Sequence, residues 1–216
     1  MPNYFQYGAK EIEHLKRADK KLASVIDKVG IIQRPVIPDI FEALVHSIVG
    51  QQISTKAHQT VWERMQKELG KITPVVIDSL SQEKLQKFGI TFKKAGYIKS
   101  VAHKILTGEF DIQSLNDMSD KEVCAKLSEL DGIGVWTAEM LMIFSMQRPN
   151  VLSYGDLAIH RGLRMVYNHQ KIDKEQFNMY WKRYTPYASV ASLYLWAVAG
   201  GAIDGMKDNA PEKSKI

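Results

Sequence analysis

Residues 127–162 read LSELDGIGVWTAEMLMIFSMQRPNVLSYGDLAIHRG, two helical stretches joined by a glycine-hinged turn, with a lone carboxylate, Asp156, twenty residues beyond Trp136. Gly132 and Gly134 bracket Ile133, so the backbone there is expected to take positive φ and to approach a partner with no Cβ in the way. The helix that follows starts with bare amides at the positive end of its dipole, which makes the turn a ready phosphate site. For a basic chain, nucleic-acid phosphate is the obvious ligand.

Bulk properties agree with that reading without proving it. At 216 residues and 45% hydrophobic, the chain can bury a core in one large domain or two small lobes. A net charge of +5 and a pI near 9.1 suit a polyanionic partner, although ordinary cytosolic proteins are often as basic. The single cysteine, Cys124, excludes an internal disulfide and any cysteine-ligated zinc or iron–sulfur site. No apolar run approaches the roughly 20 residues of a membrane span, and Met-Pro-Asn-Tyr-Phe-Gln-Tyr is no export signal. The expected location is therefore the cytoplasm, in association with the nucleoid, with no membrane partner.

Working outward, apolar residues recur at helical spacing almost everywhere and sustained period-two alternation is missing, so the expected class is all-α. One helix is expected from about Lys10 to Lys28, then an extended connector from Ile31 to Pro38, then a central apolar helix capped by Asp39. Ser54 or Thr55 caps the next helix, and shorter ones cover Pro74 to Leu80, Gln82 to Phe88 and Lys93 to Leu106. Ser119 with Glu122 and Asp173 with Gln176 are capping-box signatures. The last helix, Ala188 to Ala199, is apolar on nearly all sides and should be buried. The expected layout is a middle helical lobe over 41–154 that includes the hairpin, a second lobe from 1–40 plus 155–205, and a fraying polar tail at 206–216.

The order helix, LDGIG turn, helix, short loop, Asp156 resembles the helix-hairpin-helix DNA glycosylase superfamily, most closely the bacterial 3-methyladenine DNA glycosylase II branch. FEALVHSIVGQQIS (41–54), FKKAGYIKSVA (92–102) and TPYASVASLYLW (185–196) extend the resemblance over about Phe41 to Trp196. It implies two helical lobes with the active-site cleft between them, in a minimal version too short for the N-terminal β-rich domain that many members of the branch carry. It further implies a monomer that flips alkylated purines, 3-methyladenine above all and 7-methylguanine, out of double-stranded DNA and hydrolyses the N-glycosidic bond. Two alternatives stay open: a glycosylase for uracil, hypoxanthine or mismatched thymine, and a non-catalytic hairpin module that binds DNA.

Local sequence alone favours Asp156 as the N-cap of a helix through Leu157-Ala158-Ile159. The resemblance makes it the catalytic carboxylate, and the two roles are compatible because a cap fixes the side chain. Base excision passes through an oxocarbenium-like sugar that one buried anion stabilises. A cationic alkylated purine needs no strong general acid to leave.

Where related lyases carry a Schiff-base lysine this chain has Trp136, which implies a monofunctional enzyme with an indole facing an electron-deficient base. Trp196 matches a second aromatic wall, although its wholly apolar helix, by composition alone, favours core packing. Met140 and Tyr154 are further pocket candidates, Met142 and Met146 core.

Gln52 matches the wedge that fills the gap left by the flipped nucleotide, or else is a polar interhelix residue. The DNA-contacting group is Gln52, Gly132, Ile133, Gly134 and Thr137, with Thr137 also readable as a local hydrogen bonder. No cofactor is required, but the resemblance implies a structural Na+ or K+ on the main-chain carbonyls of Ser128, Leu130 and Ile133. Asp131 stands where many relatives have proline, and its charge would either weaken phosphate contact or strengthen the cation. Lys93, Lys94 and Lys99 read first as surface lysines and second as phosphate contacts, and His160 as a neighbour of Asp156.

Overall fold

The computed structural model describes residues 3–211. Twelve α-helices and one 3₁₀ turn account for its regular structure, apart from two antiparallel two-residue strands, β1 (Asn3–Tyr4) and β2 (Pro35–Val36). The all-α expectation holds, and β2 lies in the stretch expected to be extended. Among the described residues, no helix is long and apolar enough to cross a membrane. The chain divides into two compact units, one spanning Ile37–Met146, the other formed by residues up to Val36 together with those from Gln147 onward.

The first unit contains α3 (Ile40–Gly50), α4 (Thr55–Leu69), α5 (Pro74–Asp78), α6 (Gln82–Gln86), α7 (Phe92–Leu106), α8 (Asp120–Ser128) and α9 (Val135–Phe144). Asp39 caps α3 through the amide of Glu42, and Phe41, Ala43, Leu44, Val45, Ile48 and Val49 are all buried. With apolar residues on most of its circumference, α3 becomes the central element, packing on α4, α7 and α9.

The second unit contains α1 (Ala9–Ala18), α2 (Lys20–Val29), α10 (Leu157–Tyr167), α11 (Lys174–Tyr184) and α12 (Ala188–Ala199). The single helix expected over Lys10–Lys28 is two. Asp19 breaks it, ending α1 and capping α2 through the amides of Lys21 and Leu22 while its other oxygen accepts from Arg183 at 2.6 Å. As expected, α12 is buried along most of its length, and α10 lies so close to it that a Cβ on Gly162 would run into the carbonyl of Leu195.

Residues 147–154, expected in the middle lobe, belong with this second unit. Ser189 in the first turn of α12 is the reason: its hydroxyl donates to the Arg148 carbonyl at 2.6 Å and accepts from the Val151 amide at 2.9 Å, while its own amide donates to the Pro149 carbonyl. The tail expected to fray is tied down at its start, because Asp208 takes a bidentate pair from Arg164 at 2.6 and 2.7 Å. The rest of that tail, 212–216, lies outside the described residues.

Candidate active site

The hairpin is built from the C-terminus of α8. The Leu130 amide donates to the Leu127 carbonyl, the Ile133 amide donates to the Leu130 carbonyl, and the side chains of Leu130 and Ile133 are buried, which anchors the turn from beneath. Gly132 has φ +83, a conformation open to glycine and strained for other residues. Gly134 does not share it. At φ −91 and ψ 172 it is extended backbone that any residue adopts, and a Cβ there would meet nothing within 4 Å.

With Gly134 at the N-cap, no side chain closes the first turn of α9. Trp136 is 50% exposed in that turn, too open for core packing alone to account for it, while Thr137 is buried and Met140 partly exposed. Asp131 turns back onto α7, where it accepts from the Ser100 hydroxyl at 3.0 Å and lies 3.8 Å from the Lys104 ammonium.

The residues present fit the cation that the resemblance implies. The carbonyls of Ser128 and Ile133 accept no hydrogen bond from the described residues, and that of Leu130 accepts one, leaving a lone pair. Three carbonyl oxygens are the donor type a hard cation takes. Among the described residues, no cluster of three or more His, Cys, Asp or Glu could hold a metal.

The turn after α3 lies in the same unit. Gln52 is exposed with φ +55, a left-handed conformation uncommon outside glycine. Its neighbour Gln51 donates from Nε2 to the Gly132 carbonyl at 2.7 Å, a link between the two turns that nothing in the local sequence signals. Two of the three lysines considered for phosphate are otherwise engaged. Lys94 is 8% exposed and donates to the carbonyls of Val49, at 2.9 Å, and Gln51; Lys99 donates to those of Asp78 and Leu80. Both ammonium groups sit at the end of a helix, where carbonyls outrun amides.

In the other unit, Asp156 is 7% exposed and caps α10, its Oδ1 accepting from the amides of Ala158 at 2.8 Å and Ile159 at 2.9 Å. Trp196 on α12 is partly exposed. Tyr154 packs edge-on against Phe177 and His160, and the Lys174 ammonium lies 3.8 Å from its ring centroid. One face of Tyr154 is thus already occupied by a cation. His160, one turn beyond Asp156, makes local contacts: its Nε2 hydrogen-bonds the Tyr154 carbonyl and its ring stacks on Phe177.

Comparison with known proteins identifies the family. Residues 45–186 match the model of the HhH-GPD superfamily base excision DNA repair protein. DNA-3-methyladenine glycosylase 1 of Schizosaccharomyces pombe is 29% identical over 178 residues, covering 80% of this chain and 78% of the relative. The crystal structure of a DNA-3-methyladenine glycosidase from Bacillus halodurans superposes with a TM-score of 0.80 at 35% identity, covering 92% of this chain and 93% of the other. The S. pombe 3-methyladenine DNA glycosylase in complex with abasic DNA gives 0.75 at 25% identity, covering 90% and 99%. The chain belongs to the HhH-GPD superfamily of base excision DNA repair proteins.

Proposed function

We propose that the chain is a DNA-3-methyladenine glycosylase that hydrolyses the N-glycosidic bond of alkylated purines, 3-methyladenine first and 7-methylguanine second. It acts as a monomer on duplex DNA at the nucleoid, extruding the damaged nucleotide from the stack before reaction. The observation that carries the reading is Asp156, a buried carboxylate whose Oδ1 is fixed by two amides. A carboxylate held in this way stabilises the positive charge that develops on the sugar and orients the attacking water.

The cationic base leaves readily once the bond lengthens, so Asp156 is the one carboxylate the chemistry needs. Trp136 stacks on that base and, having no amine, gives no Schiff base, which makes the enzyme monofunctional. Trp196, Met140 and Tyr154 complete the base pocket, Gln52 fills the gap in the duplex, and Gly132, Ile133, Gly134 and Thr137 meet the backbone. The carbonyls of Ser128, Leu130 and Ile133 would hold a Na+ or K+, which would supply positive charge for a phosphate.

The experiment is release of free 3-methyladenine from methylated duplex by the wild-type protein, followed by borohydride treatment. Free base with the strand intact until alkali or heat, and nothing trapped, is the expected result. No free base from folded protein overturns the substrate, and efficient covalent trapping overturns the monofunctional mechanism.

A further inference from the structure

One stripe of α7 underlies both turns of the first unit. Lys94 reaches the end of α3, Tyr97 lies where a Cβ on Gly132 would collide with it, and Ser100 and Lys104 hold Asp131. These residues recur three to four apart, so they share one helix face.

Lys94 carries the arrangement. It is a buried ammonium whose partners are two main-chain carbonyls, Val49 in the last turn of α3 and Gln51 just past it. Both belong to a helix C-terminus, where unpaired carbonyls and the negative end of the dipole favour a cation. Gln51, held at its carbonyl by Lys94, is the same residue whose side chain donates to Gly132. From the other side, the His58 ring fills the space a Cβ on Gly50 would need.

The geometry points to Lys94 as a positioning residue for DNA engagement: its ammonium locks the end of α3, Gln51 passes that constraint to Gly132, and the Gln52 turn and the hairpin are held in one register before DNA arrives. This rests on the reading of both turns as DNA-contacting. It gives the lysine of the FKKAGYIKSVA stretch a role in preorganisation rather than in phosphate contact. Removing the ammonium leaves two buried carbonyls unsatisfied and releases a left-handed Gln52 with nothing to hold it.

Hydrogen exchange on the free protein tests this without reference to any activity. In Lys94→Met, which keeps the stem, amides of 50–54 and 132–134 should exchange faster by on the order of 10- to 100-fold, while amides of α10 to α12 keep their rates. Affinity for undamaged duplex should fall about tenfold and KM on methylated DNA should rise in step, with kcat within a few-fold. Lys94→Arg should restore most of both, which a mere loss of stability would not produce.

Should Lys94→Met fail to fold, Gln51→Ala decides. It cuts the link to Gly132 while sparing Lys94, and must speed exchange at 132–134 and weaken duplex binding. Unchanged exchange in both turns, or an increase spread evenly over the first unit, overturns the proposal. If coupled exchange is seen but wild-type protein releases no methylated base, the proposed function fails and the tether stands.

Discussion

Two helix N-termini in this chain carry the same dipole and have been finished in opposite ways. At α9 the cap is Gly134, with no side chain to close the first turn, and the exposed Val135 and Trp136 follow. At α10 the cap is Asp156, whose carboxylate lies buried over the first turn and takes two of its amides. A helix start without a side-chain cap suits an anion that comes from outside. A helix start that carries its own anion fixes that anion to within a rotamer, as reaction at a developing cation requires. On the proposed function, binding falls to one and chemistry to the other, and that contrast can be broken at either end.

The largest effect is expected at α10. Asp156→Asn should lower excision by at least about a hundred-fold while duplex affinity stays within a few-fold, because asparagine still caps the helix but lacks the charge. Single-turnover excision and a thermal melt check this together. Normal excision by a folded variant would remove the chemical half of the contrast.

At α9, Trp136→Ala should lose about 1–3 kcal/mol of lesion-specific interaction with undamaged-DNA affinity little changed, and Trp196→Ala should do the same. The half-exposed Trp136 makes its variant the cleaner, since little core is lost with it. Competition binding with damaged and undamaged duplexes reads the difference. Equal loss on both duplexes would turn these rings into general contacts.

Acid should loosen the unit of α3 and α9 before that of α10. Burial pushes the His46 imidazole down to about 4, with His58 adding repulsion at a ring separation of 4.2 Å, and burial lowers His58 too, partly offset by a backbone hydrogen bond with His46 and reinforced by Lys94. Between pH of about 6.5 and 4 the unfolded chain therefore binds protons that the folded chain refuses, and stability is lost as pH falls through that window. In the other unit burial works against the Asp19 charge, but the Leu22 amide, Arg183 and Tyr167 outweigh it and hold the carboxyl below its ordinary range. Its contribution is present above the ordinary carboxylate pKa and is lost only as pH falls below it. Exchange measured at pH 7 and pH 5 should show α3 and α4 loosening first. Loss in the reverse order would refute the assignment of the two histidines.

The smallest effect separates the glycines. Gly134→Ala should melt almost as wild type, since its Cβ meets nothing, and should weaken damaged and undamaged duplex alike by about three- to tenfold. Gly132→Ala cannot serve for this, because it forces both a positive φ and a collision with Tyr97. A Gly134→Ala protein with unaltered affinity would show that the α9 turn does not approach phosphate.

What the sequence made legible was whatever depends on near neighbours. The hairpin, the capping boxes at Ser119 and Asp173 and the all-round burial of α12 follow from spacing within one or two turns. Asp19 sits inside a helical apolar period and looks like a solvated position until Arg183 is beside it. Lys94 and Lys99 look like surface charge because the carbonyls they satisfy belong to other helices. The placement of 147–154 depends on bonds from residues far along the chain, Ser189 among them, some forty positions away. In the candidate site, the cap at Asp156 was legible from the residues after it, whereas the cation on Tyr154 comes from Lys174 on another helix.

The contact at Gly162 sets how freely such a protein can diversify. Because α10 approaches α12 backbone to backbone, the seat of the carboxylate is fixed by main-chain atoms that substitution elsewhere leaves alone. The residues proposed to recognise the base on α9 belong to the other unit. On the proposed reading Trp136 and Met140 are carried apart from the carboxylate, whereas Trp196 and Tyr154 share its unit, so only part of what recognises the base is inherited with the means of removing it.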